Sequence, residues 1–170
     1  RVLSRYGADE EAYALLLNEE MPGWLYEVKM GATTVWERWN SLLPDGKLSD
    51  ISMNSLNHYA YGSIVEWMYR WVCGLNPDET APGFARAVLT PRPGKGLDFA
   101  RTRVRTASGV YESCWKRQDD GSIRYDFRVP FNCEARLELP AGLSAQVDGR
   151  EVSGPVTLGP GLHTAVSKEA

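Results

Sequence analysis

The sequence YGSIVEWMYRWVCGLNP, residues 61–77, is where the chain changes from a helical pattern to a strand pattern. Its apolar residues recur three and four positions apart, which is the spacing of one face of an α-helix: Tyr61, Ile64, Val65, Met68, Tyr69 and Val72. Gly74 and Pro77 follow, and both residue types are typical of a helix end. Because the pattern extends back to Leu56, we predict a helix over residues 56–72.

A shorter helix is predicted nearer the start of the chain. Between Asp9 and Asn18 four apolar residues share one helical face: Ala12, Tyr13, Leu16 and Leu17. Asp9 is placed to cap the first turn. Residues 21–50 separate the two helices and contain scattered glycine, proline and aspartate, which predicts a long loop. A loop of this length inside a compact domain is usually functional.

Beyond Pro82 the pattern changes to short alternating runs, which are typical of strands. The runs cover residues 87–89, 99–105, 110–115, 123–129, 135–139, 145–147 and 156–158. Asp120-Gly121 and Asp148-Gly149 are hairpin-turn dipeptides between such runs. Runs and turns at this spacing predict an antiparallel β-sandwich. Residues 75–82, which include Pro77 and Pro82, predict the linker before it.

Composition excludes several classes of partner. The chain has 170 residues and a formal net charge of −3, and it contains no basic block of the kind that follows nucleic-acid phosphates. No apolar run approaches the ~20 residues needed to cross a bilayer. We therefore expect globular domains with no nucleic-acid partner and no membrane partner.

The cysteines indicate a reducing compartment. Cys73, Cys114 and Cys133 are odd in number and lack C-x-x-C spacing, so neither a zinc site nor a disulfide framework is predicted. This favours the cytoplasm over secretion. Cys114 and Cys133 lie in neighbouring predicted strands and could form a bridge if their geometry allowed it. His163, in a polar turn region, is expected at the surface.

The segment GATTVWERW, residues 31–39, places Glu37 between Trp36 and Trp39. Tryptophan faces stack on the apolar side of sugar rings, and a nearby carboxylate can accept a proton from water or hydrogen bonds from hydroxyl groups. The alternative is an aromatic core segment whose single carboxylate points outward. Spacing alone supports both interpretations equally.

Three separated motifs favour the sugar site. The segments GATTVWE (31–37), PGWLY (22–26) and SMNSLNHYAYG (52–62) together resemble the C-terminal third of bacterial α-L-rhamnosidases of glycoside hydrolase family 78. The resemblance continues to about Pro140. It implies an α+β fold, in which the C-terminal helices of an (α/α)₆ barrel are followed by an antiparallel β-sandwich. The expected domains are an incomplete portion of the catalytic barrel over 1–80 and the sandwich over 83–170.

The resemblance also implies an inverting reaction in which Glu37 is the general base. Inverting enzymes use two carboxyl groups roughly 6.5 to 9.5 Å apart. The resemblance places the general acid in an earlier, acid-rich barrel segment, which this sequence lacks, so we expect a fragment carrying half of the catalytic pair. Asp45, Asp50 and Glu66 are the alternative acids, although Asp45 precedes Gly46 as turn residues do and Glu66 falls on the polar side of its predicted helix.

The predicted substrate-binding residues are His58, Asn54, Trp24, Trp36 and Trp39. The resemblance implies a substrate contact at His58, and the neighbouring asparagines would add donors for sugar hydroxyls; the alternative is a histidine hydrogen-bonded in the core. Trp36 adjoins Glu37 in an extended stretch, so the two side chains should point to opposite sides. That favours Trp36 as a packing residue and Trp24 or Trp39 as the stacking platform.

The predicted substrate is a glycoside with terminal α-L-rhamnose, and this chemistry requires no cofactor and no metal. Two or three barrel helices would leave their inner faces exposed, so we expect self-association. The alternative function is a non-catalytic carbohydrate-binding or structural domain. Trp115 is the only tryptophan of the predicted sandwich, which argues against a binding platform there.

Overall fold

The computed structural model describes residues 1–49, 52–140 and 144–168. The chain divides into two compact units: residues 1–67 together with 94–96, and residues 68–93 together with 97–170. The first unit is helical and the second contains two β-sheets. Among the described residues, no helix has the length and apolar character needed to span a membrane.

Short helices and long loops make up the first unit. The helices are α1 (Val2–Arg5), α2 (Asp9–Leu16), α3 (Trp24–Lys29), a 3₁₀ turn (Ala60–Ser63) and α4 (Ile64–Trp67). Helix α2 buries the predicted apolar face, except that Leu17 lies just past its end. Asp9 is the first helical residue rather than the cap, and the N-cap position is Ala8. An acidic residue in the first turn still favours the helix through its dipole.

Helix α3 was not predicted, because residues 21–50 were expected to form a loop. It begins after the extended Gly23 and ends where the Ala32 N–H reaches the Glu27 carbonyl at 3.0 Å. Six residues are fewer than two helical turns, so the apolar residues cannot establish a periodicity. The rest of the segment is largely irregular and includes one bridge between Leu42 and Leu48.

Aromatic packing forms the centre of the first unit. The rings of Tyr13 and Trp67 meet edge to face with their centroids 5.2 Å apart. The Trp67 indole N–H donates to the buried Ser4 hydroxyl at 2.7 Å. Gly94 lies against Tyr13, because a Cβ at that position would come within 2.3 Å of the ring. Residues from three separate parts of the chain therefore close this core.

The helix predicted over residues 56–72 is present only in part. Residues 56–59 are not helical, and the 3₁₀ turn begins at Ala60. Residues Met68–Val72 form a π-helical turn, in which the Cys73 N–H donates to the Met68 carbonyl at 2.9 Å. His58 therefore precedes the helix instead of opening it. Hydrogen bonds to the backbone of Val35 and Glu37, and from the Thr34 hydroxyl, hold residues 55–58 in a non-helical conformation.

Ten strands lie in the described part of the second unit. One sheet has the order β1-β2-β6-β9, formed by Leu75–Pro77, Arg86–Leu89, Glu134–Leu137 and Val156–Leu158. The other has the order β3-β4-β5-β10-β7-β8, formed by Phe99–Thr106, Gly109–Arg117, Ile123–Val129, Gly161–Lys168, Ser144–Val147 and Arg150–Val152. The predicted sandwich is confirmed, but β2 and β6 pair in parallel, so the sheets are mostly rather than wholly antiparallel.

Strand β1 lies inside the predicted linker and pairs with β2, with Leu75 opposite Leu89. A proline at its end is tolerated because β1 is an edge strand. Strands β8 and β10 were also missed. In β10 the apolar Leu162 and Val166 are exposed while Ala165 is buried, which hides the alternation that a strand usually shows.

The sandwich core contains Tyr111, Trp115 and Tyr125, all fully buried. The Trp115 indole N–H donates to the Val72 carbonyl at 2.8 Å, and the Ser113 hydroxyl donates to the Cys73 carbonyl at 2.5 Å. Trp115 is thus a packing residue and offers no face to a ligand.

The three cysteines are free thiols, so Cys114 and Cys133 form no bridge, and burial raises the pKa of Cys73 to about 12.

Candidate active site

Glu37 lies in a segment whose backbone is fixed by its neighbours. The Glu37 N–H donates to the Ser55 carbonyl at 2.9 Å, and the His58 N–H donates to the Val35 carbonyl at 2.8 Å. The Thr34 hydroxyl adds a hydrogen bond to the Leu56 carbonyl. Two distant parts of the sequence, the motifs around Glu37 and His58, are therefore held side by side.

The Glu37 carboxylate is oriented by the same neighbour. Its Oε2 accepts a hydrogen bond from the Ser55 N–H at 2.8 Å, and the side chain is half-buried. A charge-assisted hydrogen bond of this kind fixes the direction of the carboxylate. Oε1 is then the oxygen that can accept a proton from water or a hydrogen bond from a hydroxyl group.

A second carboxyl group, Glu27 on α3, approaches the same segment from the other side. Its side chain is only 4% exposed, and its Oε2 accepts the Trp36 N–H at 3.2 Å. In the described structure its buried Oε1 has no hydrogen-bond partner. Burial raises the pKa of Glu27, and the Trp36 N–H partly opposes that increase. Glu27 was not among the predicted site residues; its one signal in the sequence is a lone acid inside the otherwise apolar run WLYEV, residues 24–28.

His58 is half-buried and uses one ring nitrogen locally. Its Nδ1 accepts the Ala60 N–H at 3.3 Å, and its ring stacks on Tyr59 with the centroids 5.2 Å apart. A neutral imidazole that accepts at Nδ1 carries its proton on Nε2. His58 therefore presents a donor nitrogen, which suits a sugar hydroxyl oxygen.

Trp24, Trp39 and Tyr61 form an aromatic cluster. The rings of Trp39 and Tyr61 are stacked with their centroids 3.9 Å apart, and Trp24 meets Trp39 edge to face at 4.9 Å. The Trp24 indole N–H donates to the Tyr61 carbonyl at 3.1 Å. One face of Trp39 is thus covered by Tyr61, and both tryptophans remain partly exposed.

Two other predicted binding residues have structural contacts. Trp36, which was among the predicted binding residues, is only 2% exposed, so its indole packs in the core. The Asn54 side-chain amide donates to the Ser41 carbonyl at 3.0 Å and so holds the following loop. The Asn54 Oδ1 is buried and has no partner in the described residues.

The alternative acids do not resemble a general acid. Asp45 lies at the tip of the hairpin around Gly46, and the Lys47 backbone N–H and ammonium group hold its pKa below the usual range. Glu66 is exposed and pairs with Arg1 at 3.4 Å. Asp50 lies outside the described residues. Within the described residues no three histidine, cysteine or acidic side chains group as metal ligands.

An oriented carboxylate two residues before a partly exposed tryptophan suits a site that handles sugars, and the helical unit followed by a β-sandwich is the order that the resemblance implied. Two family models specify the class further. Residues 1–72 match the bacterial α-L-rhamnosidase 6 hairpin glycosidase domain, and residues 74–153 match the bacterial α-L-rhamnosidase C-terminal domain. The chain therefore belongs to the bacterial α-L-rhamnosidase family.

Individual relatives agree with the family models. The chain is 37% identical over 161 residues to an α-L-rhamnosidase of Alteromonas sp. (strain LOR), covering 95% of this chain and 17% of that protein. The crystal structure of Streptomyces avermitilis α-L-rhamnosidase complexed with L-rhamnose is 34% identical, with a TM-score of 0.85 over 98% of this chain and 17% of that one. The crystal structure of native α-L-rhamnosidase from Aspergillus terreus is 34% identical, with a TM-score of 0.84 over 96% of this chain and 18% of that one. The chain thus spans about a sixth of the length of these relatives.

Proposed function

We propose that this chain supplies the general-base side of the active site of an inverting α-L-rhamnosidase, which releases terminal α-L-rhamnose from glycosides. The observation that carries the proposal is the Glu37 carboxylate, which the Ser55 N–H holds at 2.8 Å within a segment fixed by backbone hydrogen bonds. Family membership supports the reaction class.

In the proposed reaction Glu37 takes a proton from a water molecule as that water attacks the anomeric carbon. The new C–O bond forms on the face opposite the glycosidic oxygen, the old C–O bond breaks, and the departing oxygen receives a proton from a general acid. The product therefore has the inverted anomeric configuration. Glu37 must be ionised at the start of each turnover.

We place the general acid outside these 170 residues. Asp45 is a turn residue with a lowered pKa, and Glu66 is an exposed partner of Arg1, whereas a general acid needs a pKa raised toward the working pH. The relatives are about six times as long and so have ample chain to supply it. By this proposal the 170 residues alone do not turn over rhamnosides.

For substrate binding we propose His58 as a hydroxyl donor through Nε2, with Trp24 and Trp39 as the aromatic wall of the pocket. Both tryptophans are partly exposed, and the stacked Tyr61 fixes the plane of Trp39. Asn54 contributes by holding the loop at Ser41 and through its Oδ1, which is unpartnered in the described residues.

The test is Glu37→Gln in a full-length rhamnosidase that carries these residues. Glutamine keeps the shape and can still accept the Ser55 N–H, but it cannot take a proton from water, so kcat should fall about 10²- to 10⁴-fold with KM little changed. Azide should then restore turnover and yield the inverted glycosyl azide. With the parent enzyme, proton NMR of the first-formed rhamnose should show the inverted anomer.

The control is Glu19→Gln, since Glu19 is exposed and its carboxylate pairs with Lys29 at 2.8 Å. Its kinetics should match those of the parent enzyme. Near-normal turnover in Glu37→Gln, or a first-formed sugar that keeps the substrate's configuration, would contradict the proposal.

A further inference from the structure

The segment that carries Glu37 is held along both of its edges, but by different kinds of group. In an extended chain successive backbone N–H groups point to opposite sides. The Glu37 N–H and the Val35 carbonyl face residues 55–58, which supply backbone partners. The Trp36 N–H faces the opposite edge, where its acceptor is the side chain of Glu27 at 3.2 Å.

Glu27 is an unusual choice for that acceptor. A buried backbone N–H needs a partner, and a neighbouring strand would normally provide a carbonyl. Here the carboxyl group of a residue that is only 4% exposed takes that place, although burying an acid is costly. Since the second oxygen has no partner in the described residues, no ion pair there offsets the cost. The hydrogen bond to the Trp36 N–H is therefore the contact that accounts for a carboxyl group at this buried position.

We propose that Glu27 is a positioning residue for Glu37: its carboxyl oxygen holds the Trp36 peptide and so sets the direction in which the next residue presents its carboxylate. The inference rests on the proposed role of Glu37. What matters in this role is the position of the Glu27 carboxyl oxygen, which accepts the Trp36 N–H, and not the charge of the carboxylate. Helix α3 contributes by fixing Glu27, whose own carbonyl accepts the Ala32 N–H at 3.0 Å.

Two substitutions at Glu27 distinguish the position of the acceptor oxygen from the charge of the side chain. Glu27→Gln removes the charge but keeps an oxygen at the same distance from the Trp36 N–H. Glu27→Asp keeps the charge but withdraws the oxygens by one C–C bond, about 1.5 Å, which lengthens a 3.2 Å contact beyond hydrogen-bonding range. Both are made in the full-length enzyme, beside Glu37→Gln and the exposed control Glu19→Gln.

We expect Glu27→Asp to lower kcat at least tenfold, because a displacement of about 1 Å at a catalytic group can cost as much as 10²-fold. KM should stay within about threefold, since the sugar contacts are unchanged. Glu27→Gln should keep kcat within about threefold of the parent, although its thermal stability can differ. An unchanged kcat in Glu27→Asp, or an equal loss in both variants, would overturn the inference.

The same panel keeps the two proposals apart. If Glu37→Gln retains turnover, the proposed base is wrong. If Glu37→Gln loses turnover but Glu27→Asp does not, only the positioning role fails.

Hydrogen exchange decides the matter if Glu27→Asp does not fold. In Glu27→Gln, the exchange protection of the Trp36 amide and kcat should both be retained; loss of both would show that the charge of Glu27, and not the position of its oxygen, is required. Protection without kcat, or kcat without protection, would show that the Trp36 hydrogen bond does not govern Glu37.

Discussion

The two ring nitrogens of His58 have different roles, which makes its contribution separable. Nδ1 accepts the Ala60 N–H at 3.3 Å and so belongs to the start of the helical turn. Nε2 is the donor that we assign to a sugar hydroxyl. Asparagine reproduces an acceptor near the Nδ1 position, whereas glutamine reaches the Nε2 position with a donor.

We therefore expect His58→Asn to raise KM of the full-length enzyme about tenfold or more, because an unmade hydrogen bond to a buried polar group costs about 1–3 kcal/mol. Its kcat should change less, since the contact is present before and during the reaction. His58→Gln should recover part of the loss. Steady-state kinetics on an aryl α-L-rhamnoside measure both effects.

His163, the other histidine of the chain, provides the control. It lies on β10 in the second unit, where its ring contacts Asp148 and the Gly159 carbonyl. His163→Ala should leave KM for the rhamnoside unchanged. A KM in His58→Asn equal to that of the parent would remove His58 from the binding site.

The individual site residues differ in how far the sequence could identify them. Glu37 and His58 came from motifs whose order in the chain resembles one family, and the structure brings those motifs together through backbone hydrogen bonds. Glu27 could not be identified from a motif, because it lies on a short helix that was not predicted and a single acid in a predicted loop is expected to be exposed to solvent. Its burial depends on which segment packs against α3, and local sequence does not encode that.

The β7–β8 hairpin contains a carboxylate whose role depends on pH. Asp148 and Gly149 form its two-residue turn, both with positive φ (48° and 77°), as the Asp-Gly dipeptide predicted. The hydrogen bond from the His163 ring at 2.7 Å, together with the Thr164 N–H, lowers the pKa of Asp148. The folded state therefore favours the ionised form of Asp148.

A lowered pKa stabilises the fold above the unfolded-state pKa of about 3.9, and that contribution is lost as pH falls through the folded-state pKa. Because the Asp148 side chain is 46% exposed, we expect at most about 1 kcal/mol. Asp148→Asn should thus lower Tm by about 2–4 °C at pH 7, with the difference shrinking as the pH falls below about 3.9. Calorimetry across this pH range measures it.

Asparagine is a suitable replacement because it tolerates positive φ, so the turn itself should persist. Asp119→Asn, at an exposed position beside the β4–β5 turn, is the matched control and should leave the dependence of Tm on pH unchanged. A Tm difference for Asp148→Asn that does not shrink as the pH falls below about 3.9 would show that the turn, and not the charge, was altered.

Among the elements, those with a full period of buried residues were predictable. Helix α2 buries one face at helical spacing, and strand β5 buries every second residue. The region 56–72 has an equally clear helical pattern, but hydrogen bonds to the backbone of Val35 and Glu37 and from the Thr34 hydroxyl hold residues 55–58 in a non-helical conformation. Tertiary pairing therefore overrides local periodicity there. Strand β1 was missed because proline and glycine nearby indicated a linker.

The whole chain joins two compact units that the family models also treat separately. The family models meet between residues 72 and 74, whereas the compact units meet between residues 67 and 68. The predicted boundary at 80–83 lies further along the chain. Residues 94–96 return to the first unit, where Lys95 pairs with Glu10 at 2.9 Å. A division based on sequence order alone does not reveal that return.

The first unit exposes apolar side chains on α2, on α3 and at the residue that follows α1, and this predicts self-association. Tyr6, Leu15 and Val28 are each more than half exposed, and exposed apolar surface of this kind favours association. The 170-residue chain should sediment as a dimer or larger species at tens of micromolar.

Replacing Tyr6, Leu15 and Val28 together by lysine should shift the chain to monomer without a large change in Tm, because these side chains are on the surface. Leu162→Lys, at an equally exposed apolar position on β10, should leave the distribution unchanged, since association is assigned to the helical unit. Sedimentation velocity over a concentration series distinguishes these outcomes. A parent chain that stays monomeric at the highest concentration, or a Leu162→Lys variant that dissociates the oligomer, would refute association through these helices.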